Sequence, residues 1–152
     1  MIVNIANSSQ NYQASNSTAY RRGQRLRVYY HNYPHEGIVH HVTQVSGRWA
    51  ITIAHNSMSG MGVCTVPLQD FQQGCRIEII GSPLNASHEV FIIRQIDLAL
   101  TTGITYDMLL QNCEHFASWC YTGIPESPSI RIVCLALAAF SAIVLTDRER
   151  RN

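Results

Sequence analysis

Lysine is absent from this sequence of 152 residues, and all eleven basic residues are arginines. No lysine amine is therefore available for Schiff-base chemistry. Charged residues make up only 14% of the chain, against about 25% in an average soluble domain, and the net charge is +1. Bulk charge therefore favours neither a nucleic acid nor any other charged partner.

The sequence also lacks a CxxC motif, and its cysteines number five. An odd count argues against a disulfide framework, and the spacing fits none of the common zinc sites. A metal site built from Cys113, His115 and Cys120 is an alternative, although its spacing matches no standard template. We therefore expect free thiols in a reducing compartment such as the cytoplasm, with no metal and no cofactor.

A chain of this length corresponds to one domain, and its composition divides it into three parts. Residues 1–20 are rich in Asn, Ser and Gln, which predicts a flexible leader. Residues 21–125 carry the patterned segments of a folded domain. Residues 126–152 contain an uninterrupted apolar run at 132–145 and then a charged tail.

Alternating apolar residues in the first half of the folded domain predict β-strands. These strands are placed at about 26–30, 37–45, 49–54, 64–66 and 76–80. The Ser46-Gly47 pair predicts a hairpin turn between the second strand and the third. A helical turn is predicted at 68–73, and longer helices at about 87–101 and 113–122. Strands followed by helices indicate the α+β class, with a small antiparallel sheet packed on helices and a C-terminal apolar helix.

The segment at 111–116, QNCEHF, has the pattern of a reactive thiol at the start of a helix. Asn112 is a favourable N-cap residue and Glu114 falls in the first turn, so Cys113 is predicted at the first helical position. The helix dipole favours a thiolate there, and the thiolate is the nucleophile in cysteine chemistry. The alternative is a buried cysteine that packs beside Phe116. The chain has seven histidines, and composition alone does not select a base among them.

The string NCEHF resembles the cysteine motif of the lecithin retinol acyltransferase-like family, within the NlpC/P60 superfamily. That family includes the small H-Ras-like suppressor phospholipases and acyltransferases, and the H-box/NC type 2A proteins of picornaviruses such as parechoviruses and kobuviruses. Further segments resemble the family pattern: GQRLRV at 23–28, YPH at 33–35, VPLQDFQQG at 66–74 and YDMLL at 106–110. The resemblance spans about residues 23–146 and implies a permuted NlpC/P60, papain-like thiol fold.

Carried over by position, the resemblance implies that Cys113 is the nucleophile, His35 the general base and His55 the histidine that orients the base. The residues that support the motif are Asn112, Glu114, His115 and Phe116. In the family, such a Cys-His-His set forms an acyl-thioester and passes the acyl group to water or an amine. His40 and His41 compete for the assignment, because a bulge in their strand would exchange the faces on which they lie.

Two features distinguish this chain from the cellular enzymes of the family. Glu36-Gly37 follows the base histidine where those enzymes place an aromatic residue, and 20 positions separate His35 from His55. The Glu36 carboxylate is expected either to hold a protonated histidine or to lie in solvent. Both features resemble the viral branch more closely, in which the fold can persist without its chemistry.

The favoured interpretation is therefore a viral non-structural 2A-type protein, not a protease, in the cytoplasm of an infected cell. It would support RNA replication through host proteins, membrane or viral RNA. The alternative is an active thiol phospholipase A or acyltransferase that uses the Cys-His-His triad. A third alternative is a structural scaffold with Cys113 in its core. No pattern indicates an oligomeric state.

Two segments indicate where such partners would bind. A basic run near three tyrosines predicts RNA contact through phosphates and stacked bases, and its arginines are Arg21, Arg22, Arg25 and Arg27. The alternative is a solvated strand edge. The apolar run at 132–145 would cover about 21 Å as a helix, against a bilayer core of about 30 Å. Membrane or lipid contact, an interfacial helix and a buried core helix are its alternatives.

Overall fold

A computed structural model describes residues 19–57, 59 and 62–150, with side chains as far as residue 143. The elements in chain order are β1 Arg25–Tyr30, β2 Tyr33–Val45, β3 Arg48–Ser57, β4 Gly62–Pro67, α1 Leu68–Gln72, β5 Glu78–Gly81, α2 Ala86–Thr102, α3 Cys113–Thr122 and α4 Pro128–Arg150. The α+β class is confirmed, and every predicted strand and helix is present. Residues 1–18 of the predicted leader lie outside the described residues, and the division into three parts stays a prediction.

The strands of the described residues form one antiparallel sheet in the order β4-β3-β2-β1-β5. Two-residue turns connect β1 to β2 and β2 to β3, and both residues of each turn have positive φ: His31 and Asn32 in the first, Ser46 and Gly47 in the second. Such turns match the twist of an antiparallel hairpin, so the predicted Ser46-Gly47 hairpin is confirmed. β5 then returns to pair with β1 at the far edge.

Each face of the sheet carries its own hydrophobic cluster. On the helix face, α2 and α3 pack on β2 and β3 through a cluster that includes Ile38, Ala54, Ile92, Ile96 and Phe116. On the opposite face, α1 places Phe71 against Leu26, Val28, Val39 and Ile53. Because strand side chains alternate between faces, each residue of β2 and β3 is assigned to one cluster or the other by its register.

The helix α4 leaves its apolar side chains largely exposed. The exposed fractions lie between 50% and 68% for Ile132, Val133, Leu135, Leu137, Phe140 and Ile143. The interpretation of 132–145 as a buried core helix is therefore wrong as far as residue 143. None of the helices within the described residues has the length and hydropathy that a membrane span requires.

Candidate active site

Cys113 is the first residue of α3, as the sequence predicts. The helix begins there because the Asn112 side chain accepts a hydrogen bond from the His115 main-chain N–H at 3.0 Å. The Asn112 amide donates in turn to Met108 O and to Ser127 Oγ, both at 3.1 Å. The cap is thus held by main chain and side chain together, and it places Cys113 at the positive end of the helix dipole.

His35 and His55 form a buried pair between β2 and β3. The strand register places His55 opposite Gly37, so His35 is its diagonal neighbour on the same sheet face. His35 Nε2 lies 2.8 Å from His55 Nδ1, and the rings meet edge to face with centroids 5.0 Å apart. The 20 positions between the two histidines are taken up by the long β2–β3 hairpin, which brings the rings together.

Aromatic side chains enclose this histidine pair. Tyr30 stacks on His35 with ring centroids 5.3 Å apart, and its hydroxyl donates to Phe71 O. The Phe71 ring lies 5.4 Å from that of His35 and 5.8 Å from that of His55. Gly37 allows this packing, because a Cβ at that position would lie 2.8 Å from Phe71 Cε2. The glycine after Glu36 is therefore a packing requirement of the site.

The Cys113 sulfur lies against the main chain on both sides of His35. Its Sγ is 4.0 Å from Pro34 O, and the main-chain N–H of Glu36 donates towards it. His55 occupies Nε2 of His35, so Nδ1, the ring nitrogen nearer the main chain, is the atom that a general base would use. Transfer of the thiol proton to that nitrogen stays a prediction.

Burial keeps both groups neutral near pH 7. It raises the pKa of Cys113 to about 11, while main-chain hydrogen bonds from Glu36 and Glu114 oppose the rise and their carboxylates add to it. Burial, followed by the neighbouring His55, lowers the pKa of His35 to about 4. Before the attraction between the two new charges is counted, moving a proton from the thiol to this imidazole costs roughly 10 kcal/mol, at about 1.4 kcal/mol per unit of pKa. Burial thus outweighs the helix dipole, and the site holds a thiol rather than a thiolate.

Glu36 has neither of the roles considered from the sequence. Its carboxylate is fully buried, accepts two hydrogen bonds from Arg27 and one from Arg25, and forms an ion pair with Arg25 Nη2 as well. The distances are 2.5 and 2.7 Å from Nη2 and Nε of Arg25, and 2.6 and 3.0 Å from Nη2 and Nε of Arg27. These two arginines are therefore committed to internal ion pairs. RNA binding by the basic run stays a prediction, and it now depends on Arg21 and Arg22.

Glu114 connects α3 to the start of α4. Its carboxylate accepts hydrogen bonds from Ser127 Oγ, from the Ser129 main-chain N–H at 3.1 Å and from Ser129 Oγ at 2.8 Å. Ser127 and Ser129 flank Pro128, the first residue of α4. The acidic residue of the NCEHF motif therefore fixes the position of the last helix relative to the nucleophile helix.

His115 and Phe116 point to different surroundings. Phe116 lies in the core and is 5% exposed. Cys113 is 5% exposed as well, so the alternative of a buried cysteine also describes its surroundings. His115 lines a mainly apolar pocket of about 200 Å³ together with Asn56 and Trp119. Asn56 Oδ1 and His115 Nδ1 are both buried there without a hydrogen-bond partner among the described residues.

A bulge in β2 decides the competition between His40 and His41. The register with β3 shifts between Val39 and His41. His40 is buried and its Nε2 lies 2.9 Å from Asp97 Oδ1 of α2, whereas His41 is exposed. Neither histidine contacts the His35–His55 pair, and the role of His55 as the histidine that orients the base stays a prediction.

Cys64 is a neighbour of the site that sequence reasoning missed. It stands directly opposite His55 in the register of β3 and β4, and its Sγ lies 3.5 Å from His55 Nε2. A thiol in a short strand carries no sequence signal of such a contact, because only the pairing of the strands determines which residue faces His55. His55 therefore has a partner at each ring nitrogen.

The alternative metal site does not form. Within the described part of the chain, no group of three or more His, Cys, Asp and Glu residues could hold a metal ion. Cys113, His115 and Cys120 therefore do not make one.

Comparison with known families gives one match. The sequence model of the family described as lecithin retinol acyltransferase matches residues 18–126, from before β1 to beyond α3. The matched segment contains His35, His55 and Cys113. No curated protein matches the chain significantly.

Proposed function

Because this chain belongs to the lecithin retinol acyltransferase family, we propose that it is a cysteine-dependent acyltransferase or phospholipase with Cys113 as nucleophile. One observation carries the proposal. His35 is hydrogen-bonded to His55 at 2.8 Å, and the Cys113 sulfur lies against the main chain of the two residues next to His35, namely Pro34 O and the Glu36 N–H. A helix-borne thiol, a candidate base and a histidine that orients the base are the parts that acyl transfer requires.

The proposed reaction has two halves. In the first, His35 Nδ1 takes the Cys113 proton as the sulfur attacks the carbonyl carbon of a lipid ester. The carbon–oxygen ester bond then breaks, the leaving alcohol takes the proton from His35, and an acyl-thioester remains on Cys113. In the second half, His35 takes a proton from water or an amine that attacks the thioester, and the sulfur leaves with that proton. His55 keeps the His35 ring in position throughout.

The neutral resting state limits the rate that this site can reach. A thiol pKa of about 11 and an imidazole pKa of about 4 make the first proton transfer unfavourable. Substrate binding would have to supply interactions that stabilise the thiolate and imidazolium only as they form. We therefore expect acyl-thioester formation to be slow. Its rate should depend more on the binding of an aggregated lipid substrate than on the reactivity of the Cys113 thiol in the free protein.

The test uses a phospholipid with a labelled acyl chain and detects label on the protein. Wild type is expected to acquire a thioester that hydroxylamine releases, and Cys113→Ala to acquire none. The matched control is Cys134→Ala, because Cys134 is an exposed thiol on α4 whose loss leaves the site intact. His35→Ala should suppress labelling nearly as strongly as Cys113→Ala, since members of one catalytic unit act together. Label that persists in Cys113→Ala would exclude this function.

As a second candidate, we propose the viral H-box/NC 2A-type role, which supports RNA replication in the cytoplasm of an infected cell without acyl chemistry. The unfavourable transfer of the Cys113 proton to His35 favours this role over an enzymatic one. The apolar side chains that α4 exposes favour it as well, since they offer a surface to lipid or to a host protein.

Binding to vesicles of phosphatidylcholine and phosphatidylserine tests the lipid part of this role. Leu137→Asp and Phe140→Asp, at positions 62% and 66% exposed, are expected to abolish co-sedimentation with the vesicles. Leu84→Asp is the matched control, because Leu84 is an exposed apolar residue outside α4. Vesicle binding without Cys113-dependent label would favour this second candidate. Equal binding by all three variants would remove its lipid contact.

A further inference from the structure

His55 is held at both ring nitrogens. His35 Nε2 lies 2.8 Å from its Nδ1, and Cys64 Sγ lies 3.5 Å from its Nε2. The contacts follow from strand register, because Cys64 is the direct cross-strand neighbour of His55 on β4 and His35 is its diagonal neighbour on β2. Three side chains from three adjacent strands thus form one hydrogen-bonded row.

Such a row permits two arrangements of protons. Burial lowers the pKa of His35 and of His55, so each ring is neutral near pH 7 and carries one N–H. In the first arrangement, His55 donates from Nε2 to the Cys64 sulfur, and His35 donates from Nε2 to His55 Nδ1. In the second, the Cys64 S–H donates to His55 Nε2, and His55 donates from Nδ1 to His35 Nε2.

The two arrangements differ at the atom that matters for acyl transfer. The first leaves His35 Nδ1 without a proton, so that this nitrogen is able to accept one. The second places the only proton of the His35 ring on Nδ1, and the ring is then unable to act as a base from that position. The hydrogen bond at one nitrogen of a histidine fixes the protonation of the other, so the role of Cys64 in the row reaches His35 through His55.

We propose that Cys64 is a positioning residue that accepts the His55 Nε2–H and so holds both imidazoles in the Nε2–H tautomer, with Nδ1 of His35 free to accept a proton. This tautomer is the intrinsically favoured form of a neutral histidine side chain, and the first arrangement uses it twice. The S–H group is also a weak donor, which makes the second arrangement the poorer one. Cys64 is partly exposed, so its own S–H can turn to water while the sulfur accepts. The catalytic consequence rests on the proposed function; the tautomers do not.

The experiment is nitrogen-15 NMR of the full chain with labelled histidine, in which two-bond couplings identify the tautomer of each ring. In wild type, both His35 and His55 are expected as Nε2–H forms. In Cys64→Ala, the His55 Nδ1 and Nε2 resonances should shift towards each other as the two tautomers mix, and the His35 resonances should follow.

The matched control is Cys75→Ala, since Cys75 is the other partly exposed thiol of the folded domain and packs on the Phe71 cluster instead. It should leave both tautomers unchanged. An Nδ1–H form of His35 in wild type, or unchanged tautomers in Cys64→Ala, would overturn the inference. Should Cys64→Ala fail to fold, Cys64→Val keeps a strand-forming side chain of similar size and carries the same test.

The labelled-phospholipid assay separates this inference from the function on which it draws. If wild type forms the thioester, Cys64→Ala should form it about tenfold more slowly, the low end of the cost when a partner that orients a functional histidine is lost. Label in wild type with unchanged tautomers in Cys64→Ala overturns the inference and leaves the function. Changed tautomers with no label in wild type overturn the function and leave the inference.

Discussion

Replacement of Glu36 by glutamine tests how the start of β2 is held in place. The carboxylate is fully buried, accepts two hydrogen bonds from Arg27 and one from Arg25, and lies within ion-pair distance of Arg25 Nη2. Glutamine has nearly the same shape, but it is neutral and turns one acceptor oxygen into an N–H donor that faces an arginine. Glu36→Gln therefore leaves two guanidinium groups beside a buried site with no counter-charge.

The expected loss in the free energy of unfolding is about 3 kcal/mol. Removal of one partner of a buried ion pair costs about 3–5 kcal/mol, because an unpaired charge stays behind. The side chains of Arg25 and Arg27 are 15% and 26% exposed, so water reaches both and the low end of that range applies. A domain of this size has roughly 5–15 kcal/mol in total, so the variant should fold with much reduced stability.

Urea denaturation followed by circular dichroism measures this loss. Asp97→Asn is the matched control, because it removes a carboxylate that is 60% exposed, although its partner His40 is buried. Water solvates the exposed Asp97 charge, and asparagine keeps an oxygen that can accept from His40 Nε2, so this control should differ little from wild type. The argument for a buried charge cluster would be refuted if Glu36→Gln cost less than about 1 kcal/mol.

The variant should also lower the pKa of Cys113, since the Glu36 carboxylate helps to raise it. The pH dependence of alkylation by iodoacetamide measures that change.

Three further predictions concern His35, Gly37 and the remaining basic residues. Because the pKa of His35 falls from 6.5 to about 4 on folding, the unfolded chain binds the extra proton first, and stability is lost as the pH falls from 6.5 to 4. The loss from this group is about 3 kcal/mol, and His35→Gln should flatten that part of a stability–pH curve; an unchanged curve would contradict it. Gly37→Ala should destabilise by about 1–3 kcal/mol through overpacking against Phe71 and Ile53. Thermal unfolding measures this cost, and a Gly37→Ala variant as stable as wild type would refute the packing argument. The double variant Arg21→Gln/Arg22→Gln should weaken RNA binding similarly across sequences and flatten its salt dependence. The control double variant Arg48→Gln/Arg94→Gln removes two exposed arginines outside the basic run and should do neither. RNA affinity equal to wild type in the first pair would exclude the basic run as an RNA site.

Local sequence was enough to predict the elements of the fold. Alternation of apolar residues predicted β1 to β5, and helical spacing predicted α2 and α3, because these periods depend only on the geometry of each element. Asn112 and Cys113 were placed correctly for the same reason, since an N-cap interacts with residues two or three positions ahead. The thiol at the start of α3 was therefore readable without any tertiary information.

The surroundings of that thiol were decided only by the tertiary structure. Whether His55 meets His35 depends on the register of a hairpin that spans 20 positions, and one bulge after Val39 separates His40 and His41 from the site. A shift of one residue moves every side chain of a strand to the other face, so no local pattern can fix such contacts.

Burial was equally beyond the reach of the sequence. Glu36 carries the same charge in any environment, and only the packing of α3 on β2 shows that it is enclosed with two arginines. The same packing raises the pKa of Cys113, although the sequence correctly places that residue where a helix dipole acts in the opposite direction. The sequence by itself determined which groups are present and which element carries each. The tertiary structure decided which groups meet and which protonation state they hold, because register and desolvation depend on residues far apart in the chain.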